Sequence, residues 1–255
     1  MDFPSGDLLA LLVVAGFFSA FVDSVVGGGG LISLPALLLT GLPPTMALGT
    51  NKMASCMGSL TSSLSFLRSG KIDMKLVKYL FWLSLVGAAC GVVTVQQIPS
   101  QFLRPLVVIL LIGVSIYTIF RKNWGSENTY RGLTRRMFTL SCIVAFSIGF
   151  YDGFFGPGTG SFFAIGFVAL AGFNLAKATA HSKLLNFTSN VAALIFFALG
   201  GKLVWSVGLF MAVGQFIGAR LGSKMVIKQG GRLIRPLVVI MSLLMSAKLL
   251  WQHYG

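Results

Sequence analysis

The chain has 255 residues, 55% of them apolar and only 10% charged. Soluble domains carry roughly a quarter charged residues, so this composition excludes a soluble enzyme or module and points to a chain dissolved in lipid. The net charge of +14 would suggest nucleic acid in a soluble protein. In a membrane protein the same basic residues set topology, so the expected surroundings are a lipid bilayer and no nucleic acid.

Residues 1–7 have neither a basic n-region nor a small-residue cleavage site. The first apolar run, 8–26, is therefore predicted to be a retained span and not a signal peptide. Further runs follow at 31–39, 46–67, 76–95 and 103–120. Most approach the roughly 20 residues that a helix needs to cross about 30 Å of hydrocarbon. The only sizeable polar stretch, 121–136, comes next. Runs at 137–155, 162–171, 175–199, 203–219 and 233–250 complete the pattern. The expected fold class is an all-α polytopic membrane protein. Tyr79, Trp82, Trp124, Trp205, Trp251 and Tyr254 fall near the predicted span ends, where amphipathic rings prefer the headgroup level. Cys56, Cys90 and Cys142 sit inside apolar runs without metal-ligand spacing and are read as packing residues. No metal or cofactor is expected.

The hexapeptide Arg-Pro-Leu-Val-Val-Ile occurs at 104–109 and again at 235–240, an offset of 131 residues. Gly41 and Gly172, Ala47 and Ala178, Lys52 and Lys183, Gly87 and Gly218, and Gly91 and Gly222 keep that offset. The chain reads as a tandem duplication: a first membrane repeat at 1–122, a basic cytoplasmic linker at 123–136 and a second repeat at 137–255. Runs 31–39 and 162–171 are short and occupy matching places; ten residues of helix reach only about 15 Å. If all ten runs cross, fourteen basic loop residues fall on one side and three on the other; if the short runs fold back, the split is eleven to six. The stronger asymmetry favours ten crossings. Five per half is an odd number, so the halves are expected to be inverted repeats, with partial re-entry of the short helices left open.

Ionised or polar groups inside a membrane cost several kcal/mol and are candidate working parts. Asp23 precedes Gly27, Gly28, Gly29 and Gly30, and Asp152 precedes Gly156, Pro157, Gly158 and Gly160. Such breaks free backbone groups, which survive in lipid only where protein buries them or a cavity receives them. Gly28, Gly29, Gly30, Gly158 and Gly160 are thus candidate backbone anion sites; close helix packing through glycine is the competing reading. Asn51, Ser55 and Ser59 follow one another at spacing four, and so do Ser182, Asn186 and Asn190, which places each trio on one helix face. Thr50, Lys52, Lys183 and His181 lie beside these stripes. The stripes could bind an anion or merely hold helices together, and the lysines could snorkel to headgroups. Arg220, between Gly218 and Gly222, is either a ligand for an oxyanion or an interfacial anchor. Asp23, Asp152 and His181 are the candidates for proton coupling. Neither glycine break completes a Walker A loop, no hydrolase constellation is present, and the acceptor-like triplet at 186–188 lies inside an apolar run. No enzymatic activity is expected.

These motifs resemble the TauE/SafE (sulfite exporter) family of membrane permeases over nearly the whole chain. The resemblance rests on 23–30 followed by Leu34-Pro35, on 47–52, on 156–160 and on 218–222. Residues 149–156 and 172–181 look closest to the YfcA branch of bacterial inner-membrane members. The resemblance implies a transporter associated with sulfur-containing anions, such as sulfite or sulfonates. The reading is a secondary transporter of a small anion, working by alternating access in the inner membrane, with homo-oligomers open. Its substrate-binding candidates are Thr50, Asn51, Lys52, Ser55, His181, Lys183, Asn186, Asn190 and Arg220. A passive anion channel and a membrane scaffold subunit without transport activity are the alternatives.

Overall fold

The computed structural model describes residues 6–120, 127–130, 132 and 134–229. Its helices are α1 (Gly6–Val25), α2 (Gly30–Leu38), α3 (Pro44–Arg68), α4 (Met74–Gln96), α5 (Ser100–Phe120), α6 (Arg135–Phe154), α7 (Thr159–Ala171), α8 (Leu175–Leu199) and α9 (Trp205–Gln229). The apolar run 233–250, the second hexapeptide, Trp124, Trp251, Tyr254 and much of the polar linker lie outside the described residues. Among the described residues the protein is an all-α bundle. Helices α1, α4, α6 and α8 are long and apolar enough to cross a membrane.

Local chemistry sets several of the helix ends. The side chains of Asp73, Thr134 and Asn174 accept hydrogen bonds from Lys75 N, Met137 N and Lys177 N, capping α4, α6 and α8. Each such cap supplies a partner to one otherwise orphaned N–H, worth about 1 kcal/mol. Between α1 and α2 the chain turns through Gly27 and Gly28, at φ +83° and +98°, and between α6 and α7 through Gly156 and Gly158, at φ +97° and +88°. Only glycine adopts these values without strain. The two breaks also touch each other. A Cβ on Gly27 would collide with Ser161 N, and one on Gly30 would lie 2.8 Å from Pro157 Cα. Ser161 Oγ donates to Val26 O at 2.9 Å, Ser19 Oγ to Gly29 O at 2.8 Å and Ser182 Oγ to Gly160 O at 2.6 Å. Carbonyls around the breaks thereby find protein partners, as burial in lipid requires.

Contacts fix the helix directions. Phe17 O and Phe21 O of α1 lie against Gly218 and Gly222 of α9, so these helices run the same way. Ser24 meets Ser62 at 2.6 Å and Ala20 lies beside Gly58, which aligns α3 with α1. In a second set, Asp73 N donates to His181 and Gln96 Nε2 to Phe196 O, aligning α4 with α8, while Gly87 and Gly91 lie against Phe146 O and Phe150 O of α6. The two sets oppose each other: Gly49 packs on Phe197, while Ser59, further along α3, meets Asn190, earlier in α8. Helix α7 runs back along α6, with Tyr151 beside Phe162 and Val144 beside Gly166.

The pattern repeats across the halves. Gly87 on Phe146 and Gly91 on Phe150 are matched by Gly218 on Phe17 and Gly222 on Phe21. The glycine members are offset by 131 residues and the phenylalanine members by 129. Lipid tails offer no hydrophobic drive for helix association, so small residues that let backbones approach hold such bundles together. Packing at Gly222 accompanies a helix longer than its apolar run: α9 extends from the expected 203–219 to Gln229 and carries Arg220, Lys224 and Lys228 with it. The outward faces are apolar. Phe18, Trp82, Ile109, Ile143, Leu199 and Phe216 are all exposed, as lipid contact permits.

Candidate functional site

The polar stripes of α3 and α8 meet in the centre of the bundle. Lys52 Nζ lies 2.7 Å from Asp152 Oδ1 and 3.2 Å from Asn190 Oδ1. Lys183 Nζ lies 2.7 Å from Asp23 Oδ2. Each lysine is paired with the aspartate of the opposite half. The lysine side chains are 2% and 0% exposed, so neither snorkels to the headgroups. Glycines make room for them: a Cβ on Gly156 would lie 2.7 Å from Lys52 Nζ, and one on Gly160 would lie 2.8 Å from Lys183 Nζ.

The two carboxylates have different surroundings. Asp152 is 1% exposed and also accepts from Asn186 Nδ2, at 3.3 Å, and from Ser189 Oγ. Asp23 is 23% exposed and, among the described residues, accepts only backbone donors besides Lys183: Gly28 N at 3.1 Å and Gly29 N at 3.3 Å. The sequence marked these N–H groups as an anion site, and in the structure the anion they hold is the protein's own aspartate. Both carboxylates border one cleft, and Asp23 is the more exposed of the two.

That cleft encloses about 350 Å³ of empty space, open solvent at its mouth included. Asn51, Lys52 and Ser55 line it from α3, and Asn186 and Asn190 from α8. Asp23, Asp152 and the break residues Gly29, Gly30, Gly156, Gly158 and Gly160 complete most of the wall. The two lysines and two aspartates balance in charge. Two amide atoms do not balance: Asn51 Oδ1 and Gln215 Nε2 are buried without a hydrogen-bond partner among the described residues. An unsatisfied buried polar group costs about 1–3 kcal/mol; Gln215 Nε2 has a donor free for an acceptor, whereas Asn51 Oδ1 needs a donor.

Three sequence candidates lie elsewhere. Thr50 Oγ1 accepts from Val204 N at 3.0 Å and ties α3 to the start of α9. His181 accepts from Asp73 N at Nε2 and meets Lys177 O at 2.7 Å through Nδ1, with Phe167 and Phe173 against its ring. A ring that accepts at Nε2 carries its proton on Nδ1, so here His181 is a packed, hydrogen-bonded imidazole apart from the cleft. Arg220 is exposed on α9. Sequence reasoning missed Gln215 and Ser189. The only signal for Gln215 was an uncharged amide within an apolar run; for Ser189, it was a position one turn after Asn186.

A helical bundle with lipid-facing apolar surfaces, and with ionised groups paired across its halves around a polar cleft, is a polytopic membrane protein of transporter type. The sulfite exporter TauE/SafE family model matches residues 12–249, and the chain belongs to that family. It is 45% identical over 248 residues to the probable membrane transporter protein YfcA of Escherichia coli strain K12, covering 97% of this chain and 91% of that protein. It is 44% identical over 252 residues to a probable membrane transporter protein of Haemophilus influenzae, covering 97% and 98%. The probable membrane transporter protein YunE of Bacillus subtilis is 24% identical over 265 residues. No solved structure matches. The chain is a multi-pass bacterial membrane protein of a transporter family and not an enzyme.

Proposed function

We propose that the protein is a secondary transporter of a small anion, with sulfite and sulfonates the leading class, and that it works by alternating access between two inverted halves. The observation that carries this reading is the pair of lysine–aspartate bridges joining the halves at the cleft. An ammonium held by a movable carboxylate is a site an incoming anion can take. Asn51, Ser55, Asn186 and Asn190 supply hydrogen-bonding groups around it. Because both bridges cross between the halves, a relative movement of the halves would remake them.

The family description, sulfite exporter, supports sulfur oxyanions as the first ligands to try. A carboxylate displaced from its lysine becomes a costly buried charge unless water or a proton reaches it. Asp23, open to the cleft, is therefore the natural proton carrier.

Reconstitution into liposomes with radiolabelled sulfite tests the reading. Uptake should saturate and accelerate when unlabelled sulfite is loaded inside. Uptake that rises without saturation and ignores internal sulfite would indicate a channel. No uptake of sulfite, ethanesulfonate or small carboxylates by folded protein would leave the scaffold role.

A further inference from the structure

The symmetry of the site fails around the two carboxylates. At the 131-residue offset, Ser55 and Gly58 stand in the first half where Asn186 and Ser189 stand in the second. Asn186 and Ser189 are the residues that enclose Asp152. Asp23 has no such side-chain donors among the described residues: besides Lys183 it accepts from Gly28 N and Gly29 N. The same offset puts Gln215 opposite Ser84. Ser84 is buried with its hydroxyl on Leu185 O at 3.2 Å. Gln215 is 3% exposed, lines the cleft, and leaves Nε2 without a partner.

Gln215 covers the gap. A Cβ on Gly58 would lie 2.5 Å from Gln215 Oε1 and 3.3 Å from the Cβ of Ala20, and Ala20 is one turn before Asp23 on α1. The amide therefore lies over the glycine that replaces the second half's enclosing serine. Gln215 and Asp23 line the same cleft, so a buried, unused donor and the more exposed carboxylate share one cavity.

We propose that Gln215 is a substrate-binding residue, whose Nε2–H donates to the anion once that anion has taken Lys183 from Asp23. The inference rests on the anion-transport reading and adds that binding is one-sided. The Lys183–Asp23 bridge is the exchangeable one, because Asp23 lines the cleft and is 23% exposed against 1% for Asp152.

Thermal unfolding of the purified protein in detergent, titrated with sulfite and with ethanesulfonate, tests it. An anion that binds the folded state raises Tm in the wild type by mass action. In Gln215→Leu and Gln215→Met the apparent affinity should fall about tenfold or more, the loss expected for a hydrogen bond to a charged group. Without anion their Tm should match or exceed wild type, because an unsatisfied buried donor has been removed. Gln215→Ser, which copies the first half's residue, guards against a folding failure of the apolar variants and should lose the anion as well. Wild-type affinity in these variants, or a lower Tm without anion, would overturn the assignment. If the wild type responds to neither anion, the reading fails for this class of anion, and the Gln215 assignment fails with it.

Discussion

Lys183 in the second half reaches Asp23 in the first at 2.7 Å, and the carboxylate it meets is still 23% exposed to the cleft, whereas Asp152, held by Lys52, is 1% exposed. Two bridges built from matching residues therefore differ in what surrounds them. The enclosed bridge is suited to holding the halves together, and the open one to exchange.

Lys52→Met should destabilise the protein by about 3–5 kcal/mol, because removing one partner strands a buried charge. Lys183→Met should cost less, since water already reaches Asp23. The double change Lys52→Met/Asp152→Asn should recover part of the loss. Unfolding midpoints in a double-mutant cycle measure the coupling; equal losses for both lysines would show that the two bridges are equivalent.

The aspartates should separate in transport. Asp23→Asn should fold, keep counterflow exchange of sulfite, and lose accumulation driven by an imposed pH gradient. Asp152→Asn should instead lower the yield of folded protein, because Lys52 loses its carboxylate. Proteoliposome uptake with and without the gradient distinguishes them. Wild-type accumulation by Asp23→Asn would remove this carboxylate from the coupling step.

Close backbone contacts should tolerate no side chain. Gly87→Ala and Gly218→Ala place a Cβ against Phe146 O and Phe17 O, and overpacking of this kind costs about 1–3 kcal/mol. Gly113→Ala on α5 meets nothing within 4 Å and serves as the control. Melting temperatures of the three variants check the claim, and a control that falls as far as the other two would refute it.

The loops at the two ends of the bundle should label from opposite sides. Gly200 lies beside Gln96, so Ser100 and Gly201 belong to one end, while the Asp73–His181 contact puts Ser69 at the other. In a background lacking Cys56, Cys90 and Cys142, an impermeant maleimide on intact cells should reach Ser100→Cys and Gly201→Cys but not Ser69→Cys. Labelling of all three would contradict the separation of the two ends, and labelling of Ser69→Cys alone would reverse the expected orientation.

Composition and periodicity determined much of this protein. Apolar runs of about 20 residues leave little choice but helices in lipid, and duplication made Lys52 with Lys183, and Asp23 with Asp152, visible as matched pairs. The sequence could not show which lysine meets which aspartate. Each bridge joins residues 100 or more positions apart, and a repeat offset says which residues are equivalent, not which are neighbours. His181, beside the polar stripe in sequence, could be read as a ligand, a proton carrier or a packed neutral ring, and only the fold turned it toward Asp73 and Phe173. Gln215 carries no charge and has no glutamine counterpart at Ser84, so neither electrostatics nor repetition marked it. Only the close approach of α9 to Gly58, made where the second half has a serine, brought its amide to the cleft.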